Sequence, residues 1–227
     1  MVTKVTDGTL AEGEPVPAGE PSGRFALAAA LRNLASSPHE FELASGADDG
    51  LVIRLRVDPI RDSGPPRSSS SEVTRYRRTV GMLRNTELVR EYSSVSSVDL
   101  RRAIFVGVEF DQLRTQFLRA EPLPEFASIG EQGHLFDHAV MPASGTVPPI
   151  PRDTVTWSLE RWDGQRALWC NRVRSVAGGQ PSEEGYVIRA DGTIDGAVIG
   201  GWMPDSGAAG GGRPFRLVSA IGGARQA

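Results

Sequence analysis

The sequence is short of thiols, lysine and long apolar runs, and each shortage excludes a class of protein. Cys170 is the only cysteine among the 227 residues, so the chain forms no internal disulfide and no metal site built from several thiolates. The longest apolar run, 25–31, is far shorter than the roughly 20 residues of a membrane-spanning helix. The first residues carry no apolar segment of the secretory type. We therefore expect a soluble, cytoplasmic protein without a membrane partner.

Basic charge comes almost entirely from arginine, because Lys4 is the only lysine among 25 basic residues. With 28 acidic residues the formal net charge is −3, which excludes a chain that binds polyanions over its whole surface. The preference for Arg, Ala, Gly and Pro is typical of a high-GC genome, and we interpret the protein as bacterial.

Two Asp-Gly pairs give the strongest structural signal. Asp163-Gly164 and Asp191-Gly192 each separate apolar-rich, β-prone runs. Asp-Gly is favoured in hairpin turns because glycine adopts positive φ without strain. The sequence therefore predicts a β-hairpin part over 152–221.

The first half of the chain predicts a mixture of helices and strands. Helical spacing of apolar residues predicts helices over 24–37 and 72–92, and Phe110, Leu113 and Phe117 share one face of a third. Alternation or β-branched runs predict strands over 38–43, 51–57 and 102–109. Residues 1–22, rich in Gly, Pro and Glu, predict a disordered or loosely held tail.

These elements predict an α+β fold, with an antiparallel, hairpin-rich C-terminal sheet packed against two or three helices from the N-terminal half. After the 1–22 tail, we expect a single domain over 23–227. It would comprise a mixed helix and strand part (23–120), an irregular, proline-rich connector (121–151) and the hairpin part (152–221).

A metal site is one functional alternative. His134 and His138 have the i, i+4 spacing that places two imidazoles on one helix face, and Glu131 and Asp137 are close in sequence. Imidazole and carboxylate ligands suit zinc or a non-haem metal. The alternative interpretation is two loop histidines that bind no metal. This alternative is favoured, because the spacing alone is a weak motif.

An arginine cluster is a second alternative. Arg75, Arg77 and Arg78 flank Tyr76, with Arg84 nearby. Guanidinium groups clamp phosphate or carboxylate, and a tyrosine ring stacks on bases. A solvated face paired with acidic residues is the simpler interpretation, so nucleic acid is a possible partner but not the favoured one.

The hairpin part offers a third candidate surface. Trp157, Arg161, Trp169 and Asn171 bring together rings and polar groups that suit a planar or sugar-like ligand. Packing within the core is the favoured role of the two tryptophans, and a small buried hydrophobe is the favoured role of Cys170.

No nucleotide-cofactor motif and no complete nucleophile, base and acid set is present in sequence proximity, so the cofactor is left open. The sequence favours a non-catalytic binding or assembly protein that docks a protein partner, a second copy or a small ligand. The alternatives are a small metal-dependent enzyme using His134 and His138, and a phosphate or nucleic-acid binder using Arg75–Arg78.

Overall fold

A computed structural model describes residues 23–44, 50–61, 73–110, 113–142, 150–175, 181–204 and 212–219. The predicted tail over 1–22 lies outside them. The described chain forms one helix and twelve strands: α1 (Leu27–Ser36), β1 (His39–Ala44), β2 (Leu51–Ile60), β3 (Val73–Arg84), β4 (Glu87–Asp99), β5 (Ile104–Phe110), β6 (Leu113–Ala120), β7 (Gln132–Pro142), β8 (Ile150–Arg161), β9 (Arg166–Ser175), β10 (Ser182–Arg189), β11 (Ile194–Pro204) and β12 (Gly212–Ser219).

The twelve strands form a closed antiparallel barrel in which each strand pairs with its neighbours in sequence. β1 closes the ring by pairing with β12, where Leu43 lies opposite Ser219 and Ala44 opposite Val218. The predicted α+β fold is therefore wrong: the described residues contain one helix, and the sheet includes both halves of the chain. Within the described residues, no helix is long and apolar enough to cross a membrane.

The helix predicted over 72–92 is wrong, because this stretch forms the β3–β4 hairpin. The hairpin turns at Asn85 and Thr86, which both have positive φ (51° and 72°). Asn tolerates this region and a β-branched residue does not, so Asn-Thr gives a much weaker turn signal than Asn-Gly. Without a recognisable turn, the run resembled one helix.

Two further elements also differ from the prediction. The stretch that contains Phe117 is strand β6 instead of a helix, with Leu118 pointing outward and 45% exposed. Residues 132–142, expected to be irregular, form β7. Two register shifts in the pairing of β7 with β8 break the alternation by which a strand is recognised in sequence.

Both Asp-Gly hairpins are confirmed, and the aspartate carboxylates organise them. Asp163 Oδ1 accepts hydrogen bonds from the backbone N–H of Gln165 and Arg166 (2.8 and 2.9 Å). Asp191 Oδ1 accepts one from the N–H of Thr193 (2.9 Å). Of the two glycines, Gly192 has positive φ (86°).

The predicted N-terminal helix is also confirmed, and it closes one end of the barrel. The backbone before it bonds the β10–β11 turn through Ala26 N–H to Ala190 O (2.9 Å). Arg32 donates to Leu100 O in the β4–β5 turn (3.2 Å) and pairs with Glu125 in the β6–β7 connection. Because these turns lie at the same end of the barrel, the helix covers that end.

The core lies inside the barrel. Leu27, Leu31 and Leu34 of α1 are at most 2% exposed, and they belong to one apolar cluster with inward-facing side chains of nearly every strand. Alternating positions carry charged groups outside, as at Arg54 and Arg56 on β2. Burial of this apolar surface is the main stabilising term of the fold.

We predict that Gly192→Ala destabilises the protein by about 2–4 kcal/mol. An added Cβ would be 2.7 Å from Ala30 N and 2.8 Å from Ala26 O, and φ is 86°. Gly164→Ala is the control, because its Cβ meets no atom within 4 Å; we expect it to change stability by less than about 0.5 kcal/mol. Urea denaturation measures both, and equal effects would contradict the close contact of helix and turn.

Candidate ligand site in the barrel lumen

A cavity of about 470 Å³ occupies the barrel lumen beyond the helix. Leu34 of α1 lines it, so the helix forms its floor. Gly200 and Gly201 line it on β11 beside Ile199. The volume falls within the roughly 300–1,000 Å³ of small-molecule sites.

One side of the cavity is an apolar, aromatic wall. Phe105 and Phe136 pack at 5.4 Å between ring centroids, and Phe136 packs on His138 at 5.6 Å. Opposite them lie Ile199 and Phe215. A flat apolar molecule would therefore have ring faces to stack on.

An ion pair crosses the lumen. Arg78 on β3 contacts Glu184 on β10, and these strands are separated by four strands on one side of the ring and six on the other. The Arg78 guanidinium also lies over the Tyr92 ring, 5.6 Å from its centroid. Two nearly opposite walls are thus joined through the middle of the barrel.

The Tyr186 hydroxyl also binds the carboxylate of this pair. The Tyr186 hydroxyl donates to Glu184 Oε1 (2.5 Å), while Arg78 contacts Oε2. Burial lowers the pKa of Arg78, but Glu184 together with Tyr92 and Tyr186 outweighs this effect, so the arginine pKa is raised overall. Burial, with Glu184 nearby, raises the pKa of Tyr186 well above its usual value, so this hydroxyl remains a donor.

His138 lines the same cavity from β7. Its Nε2 faces Asp153 Oδ2 on β8 at 3.8 Å, and the residue is 6% exposed. Burial lowers the pKa of His138, and the nearby carboxylates of Asp153 and Asp137 only partly oppose this. The imidazole is therefore neutral near neutral pH.

Two side chains lining this cavity carry a buried polar atom that forms no hydrogen bond within the described part of the chain. They are His138 Nδ1 and Asn171 Oδ1. Arg78 Nε, in contrast, lies in the ion pair with Glu184 Oε2. Buried polar atoms are nearly always satisfied in proteins, by protein, water or ligand. The first two atoms can therefore accept a polar partner, either water or a ligand.

The four predicted metal-binding residues are only partly brought together. His134 Nε2 lies 3.1 Å from Asp137 Oδ1, and its Nδ1 faces Glu121 at 3.7 Å. His138 faces the lumen, and the side chain of Glu131 is exposed. No group of three or more metal-binding side chains occurs in the described ranges. The i, i+4 argument assumed a helix, whereas β7 is a strand with a register shift between His134 and Phe136.

The arginine cluster is divided by the pleat of β3. Tyr76 and Arg78 line the lumen, whereas Arg77 is exposed on the outside and Arg75 pairs with Glu109 there (3.3 Å). Arg84 is exposed at the hairpin turn. These side chains do not form one surface, because successive residues of a strand point to opposite faces.

The four ligand-binding candidates of the hairpin part also separate. Trp169 is fully buried beside Tyr186 (5.8 Å between ring centroids), and Trp157 is 6% exposed in the same core. Arg161 is exposed at the end of β8. Of the four, Asn171 is the residue that lines the cavity.

Cys170 lies on the outside of β9 in a small apolar cluster with Leu168, Val187 and Val198. The residue is fully buried, and burial raises the pKa of its thiol to about 12, with Glu183 adding to the effect. The thiolate is therefore scarce at neutral pH, and this cysteine is no nucleophile.

Sequence reasoning missed Glu184, Tyr186, Tyr92, Ser94 and Asp153 as site residues. The available signal was period two: Glu184, Tyr186 and Ile188 share the inward face of β10. A carboxylate on an otherwise buried strand face is unusual enough to suggest a partner across the barrel.

Known proteins supply no relationship for this chain. It matches no protein-family model, no curated protein and no solved structure. Its function is therefore inferred from the geometry of the lumen.

We predict that His138 makes stability depend on pH. Its folded pKa lies below the unfolded value of about 6.5, so the unfolded chain takes up the proton first and stability falls as pH drops below about 6.5. His138→Gln should lose less stability than the wild type between about pH 7 and pH 5. His39, whose pKa is also lowered by burial, is unchanged in both proteins. Equal losses in urea denaturation would refute this assignment.

We predict that the thiol of Cys170 reacts with iodoacetamide only after unfolding. Its burial and raised pKa both suppress the thiolate. Mass spectrometry should find the native protein unlabelled at mildly alkaline pH and singly labelled in concentrated urea. Rapid labelling of the native protein would show that the outer cluster opens.

Proposed function

We propose that this protein binds one small, largely apolar molecule inside its barrel. The observation that carries the proposal is the cavity of about 470 Å³, whose wall contains buried polar atoms without hydrogen-bond partners among the described residues. An empty apolar void would need no such atoms, and a packed core would leave no such volume. Among the partners considered from the sequence, the proposal keeps the small ligand. We expect the protein to act in the cytoplasm.

The lumen is suited to holding a ligand because its ends differ. The helix covers one end through Leu27, Leu31 and Leu34. The cavity lies toward the other, where rim residues such as Ser182 and Phe110 line it. A molecule in this cavity would lie against the aromatic wall, which stabilises it by removing apolar area from water.

Binding is favoured over catalysis by the state of the lumen's ionisable groups. Glu184 is engaged by Arg78 and by the Tyr186 hydroxyl. Burial raises the pKa of the tyrosine and lowers that of His138. The Tyr186 hydroxyl is thereby kept as a hydrogen-bond donor, and a neutral imidazole both donates and accepts, which suits these groups to recognition.

The cavity can be tested with N-phenylnaphthylamine, a neutral dye that fluoresces in apolar surroundings. We predict saturable one-to-one binding to the wild type. Ser94→Phe should weaken it at least about tenfold, because the new ring fills space that the ligand needs. Ser94 is 6% exposed and lines the cavity directly opposite Arg78 on the next strand.

Ser97→Phe is the matched control. Ser97 lies on the outside of the same strand, opposite Arg75 and Gly107, and should leave dye affinity unchanged. Val108→Trp, which fills the same cavity from β5, provides a second block if Ser94→Phe does not fold. Dye binding unaffected by either folded blocking variant would place the dye outside the lumen and refute the proposal.

A further inference from the structure

The charges that line the lumen do not cancel, and the following step rests on the proposed function. Arg78 and Glu184 neutralise each other across the cavity. Glu183 also lines it, but Arg216 on β12 holds that carboxylate through Nε at 2.9 Å. Among the described residues that line the cavity, the remaining carboxylate is Asp153.

Asp153 has no positive charge beside it in the described part of the chain. Its neighbour within ion-pair distance is His138, whose Nε2 lies 3.8 Å from Asp153 Oδ2. That distance is longer than a hydrogen bond, and the imidazole is neutral because burial lowers its pKa. The Asp153 side chain is only 22% exposed. A carboxylate largely removed from water in this way is stabilised by a cation.

The unpartnered polar atoms of the lumen are acceptors as well. Because Nε2 of His138 faces the Asp153 carboxylate, the proton is favoured on that nitrogen, and the buried Nδ1 is left as an acceptor. Asn171 Oδ1 is a second buried acceptor without a partner in the described ranges. The molecule that satisfies these atoms must therefore supply hydrogen-bond donors.

Aromatic rings next to the histidine favour the same charge. The Phe136 ring lies 5.6 Å from the His138 ring and 5.4 Å from that of Phe105, measured between centroids. Ring faces attract ammonium groups and stack on flat apolar molecules. Arg78 opposes a cation only weakly, since Glu184 offsets its charge.

We infer that the lumen takes an organic ammonium, a molecule with a flat apolar body and one protonated amine. The ammonium group binds the Asp153 carboxylate. His138 Nδ1 and Asn171 Oδ1 accept from N–H groups of the ligand or from water bound with it. The apolar body lies against the aromatic wall at Phe136.

Four probes of nearly equal size test this chemistry in the intact protein by calorimetry at neutral pH: naphthylmethylammonium, naphthylmethanol, naphthoate and naphthalene. They share one ring system and carry, in that order, a positive charge, an uncharged donor, a negative charge and no polar group. Naphthylmethylammonium should bind at least about tenfold more tightly than each of the others, because a charge-assisted hydrogen bond is stronger than a neutral one.

Variants connect that preference to one carboxylate. Asp153→Asn keeps the shape of the side chain and removes its charge. It should weaken naphthylmethylammonium about tenfold or more and change naphthylmethanol and naphthalene by less than about threefold. Asp153→Ser, which also removes the charge, replaces it if the asparagine variant does not fold.

Asp58→Asn is the matched control. Asp58 lies on the outer face of β2, where it pairs with Arg56 at 3.4 Å. The change removes the same charge from the protein but none from the lumen, so the affinities of all four probes should stay the same. The comparison separates a contact with Asp153 from an effect of net charge.

The outcomes separate the two proposals. If naphthylmethanol or naphthoate binds as tightly as naphthylmethylammonium, the ammonium class is wrong and a lumen binder remains. Ammonium binding that is unchanged in a folded Asp153 variant, or weakened equally by Asp58→Asn, would also overturn it. Failure of all four probes to bind, together with N-phenylnaphthylamine, would overturn the lumen site itself.

Discussion

Closure of twelve strands into one ring is the constraint on which the rest of this structure depends. Barrels of about eight strands are filled by their own inward side chains, and the interior widens roughly in proportion to strand number. A twelve-stranded lumen therefore needs additional material. Helix α1 supplies it at one end, where its leucines are almost completely buried. The space beyond Leu34 is not filled in this way and forms the cavity.

The pair of Arg78 and Glu184 follows from the same width. Neither residue could be buried alone, because desolvating an unpaired charge costs several kcal/mol. Each side chain is long enough to reach the middle of the lumen, and the Tyr186 hydroxyl fixes the carboxylate. Such a pair contributes little net stability compared with apolar packing. Its position in the cavity is therefore explained by the proposed recognition of a ligand better than by folding stability.

Local signals predicted the elements that depend on local chemistry. The two Asp-Gly hairpins and the N-terminal helix could be predicted because turn residues and helical spacing act within a few positions. The first two strands followed from alternation. By contrast, β3 and β4 were interpreted as a helix because Arg78, Ser94 and Ser96 occupy inward positions and remove the apolar alternation. The ring itself could not be predicted, since closure depends on pairing of β1 with β12 across the whole chain.

The site was predicted in fragments for the same reason. Asn171, His138, Tyr76 and Arg78 were all singled out by residue type, but they were divided among three different hypothetical surfaces, with only Tyr76 and Arg78 placed together. Only the barrel brings β3, β7, β9 and β10 around one cavity. The residues that make the strands hard to recognise in sequence are thus the ones that line the cavity. A polar side chain on an inward face interrupts the apolar alternation of a core strand, because at that position the side chain faces the cavity and not packed core. In a closed barrel, a failure of alternation is therefore itself a signal of a lumen that is not filled by core side chains, and it is strongest where the inward residue is charged, as at Arg78.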